Sequence, residues 1–561
     1  MTTQQSWHTL YSADVDARPA LPEATVLDLF RRHVTAEPEA CALRYFGRDI
    51  SRGELDSLSD HLAHALAAQG VTAGARVAIA LQNTPVFVQC ALAAWKLNAV
   101  VVPVNPMSRA RELGHLLRDC TPKALVAHPD LAEVVRQTGC DADLDVRLVW
   151  SDPSELGGTL PAPWPPAPRA PEAGVTLTEL LSTVPARGDI AWNDPEPHDT
   201  ALLTYTSGTT GPSKGAMSTH ANLTYQAVVS GRWFGLAEGE SLLTTAPLFH
   251  ITGLGLHLAA ALGNGVPMVL TYRFQAEAVL RLLHTYSPTV TVGAITAFIA
   301  LADHADAGDP GMAALRTSFS GGAPVPRKVV ERYRSDFGVY VHNIYGLTET
   351  SSACIAVPRG RDAPVDQDSG ALSIGVPLPL TDVRLVDDTG EPMPPGTTGE
   401  IVVRGPGVGP GYWNRPEETA NAFRADGLHT GDVGIMDEHG WVFVVDRKKD
   451  LLVVSGYKVW PRDVEDVLYL HPAIREAAVV GRPDEYQGES VQAFVALRVG
   501  QTVTTEQLRE HCRTHLAAYK VPRSVEFLAE LPKTATGKIM RRQLRGSELT
   551  ATTIEAPSRA E

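Results

Sequence analysis

From Thr204 the chain reads TYTSGTTGPSKGAMSTHANL, a short apolar run giving way to glycines, hydroxyls and one lysine. Thr206, Ser207, Gly208, Thr209, Thr210, Gly211 and Lys214 can surround phosphate oxygens with backbone N–H groups, hydroxyls and a point charge. The spacing is not that of the G-x-x-x-x-G-K-[ST] loop, whose lysine and hydroxyl open a helix. Here Lys214 lies between Ser213 and Gly215. Taken alone, glycine, threonine, serine and proline also cluster in ordinary turns, so residues elsewhere in the chain must decide.

Those residues appear as SGGAPVP (320–326), NIYGLTET (343–350), LHTGDVG (428–434), VDRKKDLLVVSGYKVWPRDVE (445–465) and LPKTATGKIMRRQL (531–544). In this order and at these separations the set closely resembles the adenylate-forming superfamily of acyl-CoA synthetases, luciferases and nonribosomal adenylation domains. The resemblance runs from about Val26 to Arg545, and the C-terminal text is most similar to bacterial fatty acyl-CoA ligases. It implies a two-step reaction: a carboxylate attacks the α-phosphate of ATP to give an acyl-adenylate and pyrophosphate, and a thiol then displaces AMP. ATP, Mg²⁺ and CoA follow as cofactors. The first step must neutralise charge developing on a phosphoryl group.

The resemblance assigns roles residue by residue. Glu349 matches the Mg²⁺ ligand, with Thr209 beside it; a hard carboxylate leaving room for water and phosphate oxygens suits that ion. Thr348 matches the α-phosphate hydroxyl donor. Tyr345, followed by Gly346, matches the residue stacked on adenine, and Gly321, Gly322 and Ala323 would let backbone approach the base. Asp432 would accept both ribose hydroxyls, with Arg447 on the other side. Lys538 matches the adenylation lysine. Because it must leave before a thiol enters, the family rotates its C-terminal domain about a hinge, here Lys449. Ser455, Gly456 and Tyr457 would then line the pantetheine tunnel, and His250 would sit between acyl pocket and tunnel.

One departure bears on the substrate. The residue before Tyr345 is usually glycine in fatty acyl-CoA ligases and is Ile344 here, preceded by His342 and Asn343. A branched side chain there narrows the pocket at the reacting carboxylate, which puts a long fatty acid in question and suits a substituted aromatic or short polar acid. The acceptor is open too: members of the superfamily transfer to a carrier protein or an amine, including nitrite activation for diazotisation. A catalytically silent nucleotide-binding paralogue is the alternative of a different class, although Lys538, Glu349 and the 207–215 loop are all present.

Positioning these residues takes a large scaffold. At 561 residues and 60.2 kDa the chain exceeds one hydrophobic core. Amphipathic helices alternate with β-branched runs from Val26 to about Phe249, as in LDSLSDHLAHALAAQG followed by ARVAIAL, which predicts helix-covered parallel sheet. VRLVDDTGEPMPPGTTGEIVVRG then predicts an antiparallel region, and the segment up to Arg545 reads strand, helix, strand, strand, helix. The expectation is an α/β protein: helix-covered sheets plus a distorted antiparallel barrel over 1–448, a small mobile α+β domain over 449–545, and a flexible tail over 546–561. Proline-rich 152–174 reads as an extended surface excursion. The stretch Ile251–Tyr272, interrupted by glycines and Pro267, reads as a buried helix and strand rather than a membrane span.

A net charge of -15 argues against a nucleic-acid surface. The six cysteines show no C-x-x-C spacing, and the first residues carry no basic and apolar leader pattern, so a cytoplasmic setting is expected. The expected partners are a small-molecule acid, ATP and CoA, with a homodimer allowed.

Overall fold

The computed structural model describes residues 6–164, 167–185, 193–206, 213–366, 371–447, 450–454, 457–484, 488–498, 500–534 and 539–546. The chain divides into two compact units: residues 1–362, 375–383 and 403–429 form the first, and 363–374, 384–402 and 430–561 the second. The architecture is α/β, with mixed sheets, a half-barrel sheet and a small C-terminal domain.

Two large sheets build the first unit. One, of eight described strands, takes Arg76–Ala80, Val100–Pro103 and Ala124–Ala127 as parallel neighbours. Val100–Pro103 and Ala124–Ala127 are buried at every position, as strands covered on both faces must be. The intervening helix Pro85–Lys96 starts on a Thr84 cap with proline at its first turn and is buried along its whole length. Even Lys96 is enclosed there, its ammonium 2.6 Å from Asp56 and 2.6 Å from Asp60. The predicted helix after Leu55 spans Arg52–Ala68, and its chain turns away at Gly70, φ +83°.

The other sheet, of nine described strands, runs Val290–Gly293, Thr317–Ser320 and Val341–Leu347 side by side in parallel. Its register pairs Ser318 with Val341, Phe319 with His342 and Ser320 with Asn343. Gly321 and Ile344 therefore follow directly on the last parallel rung, Ser320 with Asn343, where the strand Val341–Leu347 changes partner and open α/β sheets place ligands.

In the second unit residues 432–436, the end of strand Gly427–Met436, pair antiparallel with Val442–Arg447. The C-terminal segment holds a sheet of Leu452–Val454, Tyr457–Val459, Ile474–Asp484, Gly488–Leu497 and Ser524–Phe527. Helices Pro461–Leu470 and Thr505–Arg513 help to close a core that includes Val464, Leu468, Val479, Val495 and Leu508. This is richer than the predicted pattern. The short hairpin before the first helix, the strand Ser524–Phe527 and the helix Arg541–Gly546 were too brief or too charged to show a period. The expected domain boundary at 448/449 falls outside the described residues.

Two other expectations are modified. The proline-rich excursion is fastened to the first unit: Trp164 packs edge-on against Phe46 and Tyr272, and the Trp150 indole donates to the Ala173 carbonyl at 2.6 Å. After Ile251 the predicted helix is a π-helical turn, Gly253–Ala259, continuing as Ala260–Asn264 before the buried strand Met268–Leu270. Among the described residues no helix is long and apolar enough to cross a membrane.

Candidate active site

The strands before and after the glycine and hydroxyl stretch form an antiparallel hairpin. Strand Thr200–Tyr205 pairs with Gly215–Thr219, the last rung joining Tyr205 to Gly215. Beyond that rung the Thr206 amide donates to the Lys214 carbonyl at 2.9 Å, closing the neck of the loop. The G-x-x-x-x-G-K-[ST] loop leads from strand to helix; here Lys214 is followed at once by the strand Gly215–Thr219, in keeping with its different spacing. His115 fixes the neck from outside, its Nε2 lying 3.1 Å from the Ser213 carbonyl. Ser207, Gly208, Thr209, Thr210 and Gly211 lie outside the described residues.

A third segment supports the hairpin. Gly411–Tyr412 adds as a short strand against Met217 and Ala216, and the Trp413 amide donates to the Gly215 carbonyl at 2.8 Å. Asp119 gathers the surroundings: it accepts from the Tyr205 hydroxyl at 2.6 Å and from Arg415 at 2.9 Å, and its carbonyl takes the Trp413 indole N–H at 3.2 Å. The Lys214 ammonium lies 5.3 Å from the centre of the Tyr412 ring, within cation–π range.

Tyr412 also reaches Glu349. Its hydroxyl donates to Glu349 Oε1 at 2.6 Å, and the Gly409 amide donates to the Glu349 carbonyl at 2.9 Å. Burial, and then the neighbouring carboxylate, hold the Tyr412 hydroxyl above the ordinary phenol range, so it remains a donor. Glu349 is half-buried in the turn between Val341–Leu347 and Ser352–Ala356. That turn is strained: Ser351 and Ser352 have φ of 52° and 121°. The Thr350 hydroxyl braces it, accepting from the Leu347 amide at 2.8 Å and donating to the Ser352 carbonyl at 2.6 Å. Thr348 is half-buried, its carbonyl taking the Ser351 amide at 3.0 Å.

The residues expected at the adenine and acyl positions flank this turn. A bulge between Tyr345 and Gly346 re-aims the strand where the expected adenine platform lies. Gly346 has no alternative, since a β-carbon there would sit 1.8 Å from the Ser352 carbonyl oxygen. Gly321 closes on Ile344 itself, whose carbonyl oxygen would be 2.5 Å and Cγ2 3.0 Å from an added β-carbon. Gly322 is exposed and Ala323 half-buried. Asn343 and His342 are both buried; His342 Nδ1 lies 3.1 Å from the Ser318 carbonyl, and burial pushes its pKa down to about 4.

His250 precedes the π-helical turn. The Thr252 amide points at its Nδ1 at 3.3 Å, which makes Nδ1 an acceptor and leaves the ring proton to Nε2. The turn lies against the Glu349 loop: a β-carbon on Gly255 would be 2.8 Å from the Ser351 carbonyl oxygen. Wide turns of this kind recur at functional sites.

In the second unit Asp432 is buried and stands opposite Arg447 across the strand pair. Tyr457 is 58% exposed and stacks on Tyr519 at 4.7 Å. Lys449, Ser455, Gly456 and Lys538 lie outside the described residues. The flanks of the Lys538 turn are nonetheless defined: Lys533 and Ile539 form a β-bridge, and Arg541 grips Glu465 with contacts of 3.1 and 2.6 Å. Tyr412, Asp119 and the π-helical turn escaped the sequence reading. The glycine pair Gly253 and Gly255 inside an apolar helix was the available signal for the last of these.

The mixed α/β sheets with a half-barrel sheet and a small C-terminal domain are the architecture of adenylate-forming enzymes. The chain belongs to the AMP-binding enzyme family, whose models match residues 30–413 for the AMP-binding enzyme and 463–538 for the AMP-binding enzyme C-terminal domain. It is 34% identical to a long-chain-fatty-acid–CoA ligase of Bacillus subtilis, over 98% of this chain and 99% of that one. It is 37% identical to a feruloyl-CoA synthase of an Amycolatopsis species, over 92% and 97%. Among solved structures, the anthranilate CoA ligase AuaEII in complex with anthranoyl-AMP superposes with a TM-score of 0.82 at 26% identity, covering 94% of this chain and 98% of that one. Within the family the protein is an ATP-dependent, AMP-forming acid–CoA ligase that uses Mg²⁺.

Proposed function

We propose that the acid activated by this ligase is compact and planar, an aryl or arylacrylic acid, rather than a long alkyl acid. The observation that carries this reading is Ile344, 6% exposed and pressed against Gly321 where fatty acyl-CoA ligases usually have glycine. A flat ring passes a slot that a branched side chain has narrowed. The feruloyl-CoA and anthranilate relatives point the same way.

In this reading the acid carboxylate attacks the α-phosphorus, the bond to pyrophosphate breaks, and the CoA thiol later displaces AMP from the acyl-adenylate. Tyr345 stacks on adenine, with Gly321, Gly322 and Ala323 giving backbone access and Gly346 the bend. Thr348 donates to the α-phosphate. Lys214, with Thr206, Ser207, Gly208, Thr209, Thr210 and Gly211, holds the departing pyrophosphate. Glu349, with Thr209, would hold Mg²⁺, which when bound offsets phosphate charge. The chemistry fits: Glu349 is a single half-buried hard carboxylate whose Oε1 accepts from Tyr412, an oxygen donor of the kind that shares Mg²⁺ with phosphate and water. Asp432 and Arg447 take the ribose, and Lys538 bridges carboxylate and α-phosphate. Lys449 is the hinge of a mobile C-terminal domain, which exchanges Lys538 for the Ser455, Gly456 and Tyr457 tunnel. His250, with Asn343 and Ile344, borders the acid. A cytoplasmic protein, in which a homodimer is allowed, suits these soluble substrates.

The test is pyrophosphate release over alkyl, benzoic and cinnamic acids and nitrite, each with and without CoA. Highest kcat/KM for a benzoic or cinnamic acid with CoA is expected. A long alkyl acid as best substrate overturns the acid class, and release with nitrite independent of CoA overturns the acceptor. Lys538→Ala should lose acid-dependent pyrophosphate exchange by about a hundredfold or more. Lys449→Pro should lose thioester formation more than exchange.

A further inference from the structure

The segment GYWNR (411–415) belongs to none of the roles above, yet it touches the loop and the acidic turn alike. Its Tyr412 presents a ring face to the Lys214 ammonium, 5.3 Å from the centroid, and a hydroxyl 2.6 Å from Glu349 Oε1. Tyr412 is itself held firmly: its amide donates to Thr419 Oγ1 at 2.9 Å, its strand pairs with Ala216, and its ring meets Phe423 edge-on at 5.4 Å. One fixed side chain thus meets both the loop's cation and the turn's carboxylate.

We propose that Tyr412 is a positioning residue for the metal carboxylate, a role that rests on Glu349 being the Mg²⁺ ligand. The hydroxyl engages Oε1 and fixes the carboxylate's rotation, leaving Oε2 for the ion. Without it, Glu349 would turn freely in its half-buried setting, and the ion would have to order the carboxylate as it binds. Partners that orient a metal ligand in this way commonly contribute about tenfold or more to metal affinity. The ring face gives Lys214 a resting place near that carboxylate before the triphosphate arrives, so the positive and negative groups of the phosphate site are set by the same residue.

The test uses Tyr412→Phe in the full-length chain, which keeps the ring, its packing on Phe423 and its face toward Lys214. Calorimetric titration with an α,β-methylene ATP analogue, which cannot donate its adenylyl group because the bridging oxygen of the bond that breaks is replaced by carbon, is run with and without Mg²⁺ and checked beside a thermal melt. The expected result is analogue affinity about tenfold weaker in Mg²⁺ and unchanged without it, an effect that a merely structural role would not confine to the metal. Glu349→Gln should abolish the Mg²⁺ increment. Equal losses with and without Mg²⁺, or no loss in either, would overturn the role of Tyr412 while leaving Glu349 as ligand. Wild-type protein whose affinity ignores Mg²⁺ would overturn the reading of Glu349 and this proposal together.

Discussion

Gly321 and Ile344 follow the last parallel rung between their segments, Ser320 with Asn343, so closely that a β-carbon on Gly321 would lie 2.5 Å from the Ile344 carbonyl oxygen. The obstacle is backbone, which cannot swing aside as a side-chain tip can. Gly321→Ala should therefore push the two strand ends apart, with a stability cost of about 1–3 kcal/mol. Nucleotide affinity should fall with it. Gly322→Ala is the useful contrast: nothing lies within 4 Å of its added carbon, but its φ of +79° penalises any side chain by about 1 kcal/mol. Urea unfolding and ATP titration of both variants should show the larger loss of ATP binding at 321.

The same contact predicts a change of substrate. Ile344→Gly removes the side chain without disturbing the carbonyl that Gly321 abuts. The ratio of kcat/KM for a long alkyl acid over a cinnamic acid should rise on the order of tenfold or more, since a few methylenes in an apolar pocket discriminate by that much. Competition between the two acids for CoA, read by chromatography of the thioesters, measures it.

Much of this was legible from the chain alone, for identifiable reasons. Buried parallel strands such as Val100–Pro103 announce themselves as uninterrupted apolar runs, and proposed site residues such as Tyr345 and Glu349 stand in motifs whose order is specific to the family. Tyr412 was not legible, because a tyrosine beside a tryptophan in a proline-flanked turn reads as packing. Only the pairing of Gly411–Tyr412 with Ala216 and Met217, made across nearly two hundred positions, brings it to Glu349 and Lys214. The π-helical turn was hidden because helical periods look alike over so few residues, and Trp164 was masked by the prolines around it.

Asp119 offers a separate test of how the loop is held. Its side chain is 11% exposed and receives both the Tyr205 hydroxyl and the Arg415 guanidinium. Asp119→Ala would leave a phenol and a cation without their acceptor, so a destabilisation of about 2 kcal/mol is expected, together with weaker ATP binding through a loosened loop neck. Arg415→Lys, which keeps a charge but loses the planar fork, should cost less. Chemical denaturation of the two variants, with ATP titration of each, gives both quantities.

The last prediction concerns histidines that the proposed chemistry does not use. His220, His257 and His342 are buried, and burial lowers their pKa values to about 4, 3 and 4. Each is neutral in the folded protein at pH values where the unfolded chain, near its ordinary 6.5, takes up a proton. Stability contributed in this way is complete above about pH 6.5 and is lost as pH falls toward the folded values near 4. His257 has the lowest value of the three; like His220 it is fully buried, and among the described residues neither ring nitrogen of either has a hydrogen-bond partner. His257→Leu removes a desolvated polar ring and supplies a side chain of similar bulk. It should raise stability at pH 7 by about 1–3 kcal/mol and reduce the acid sensitivity between pH 6.5 and 4. Unfolding midpoints across that range decide it: a variant less stable than wild type at pH 7 would mean that the imidazole has a favourable role that its buried, unpartnered nitrogens do not reveal.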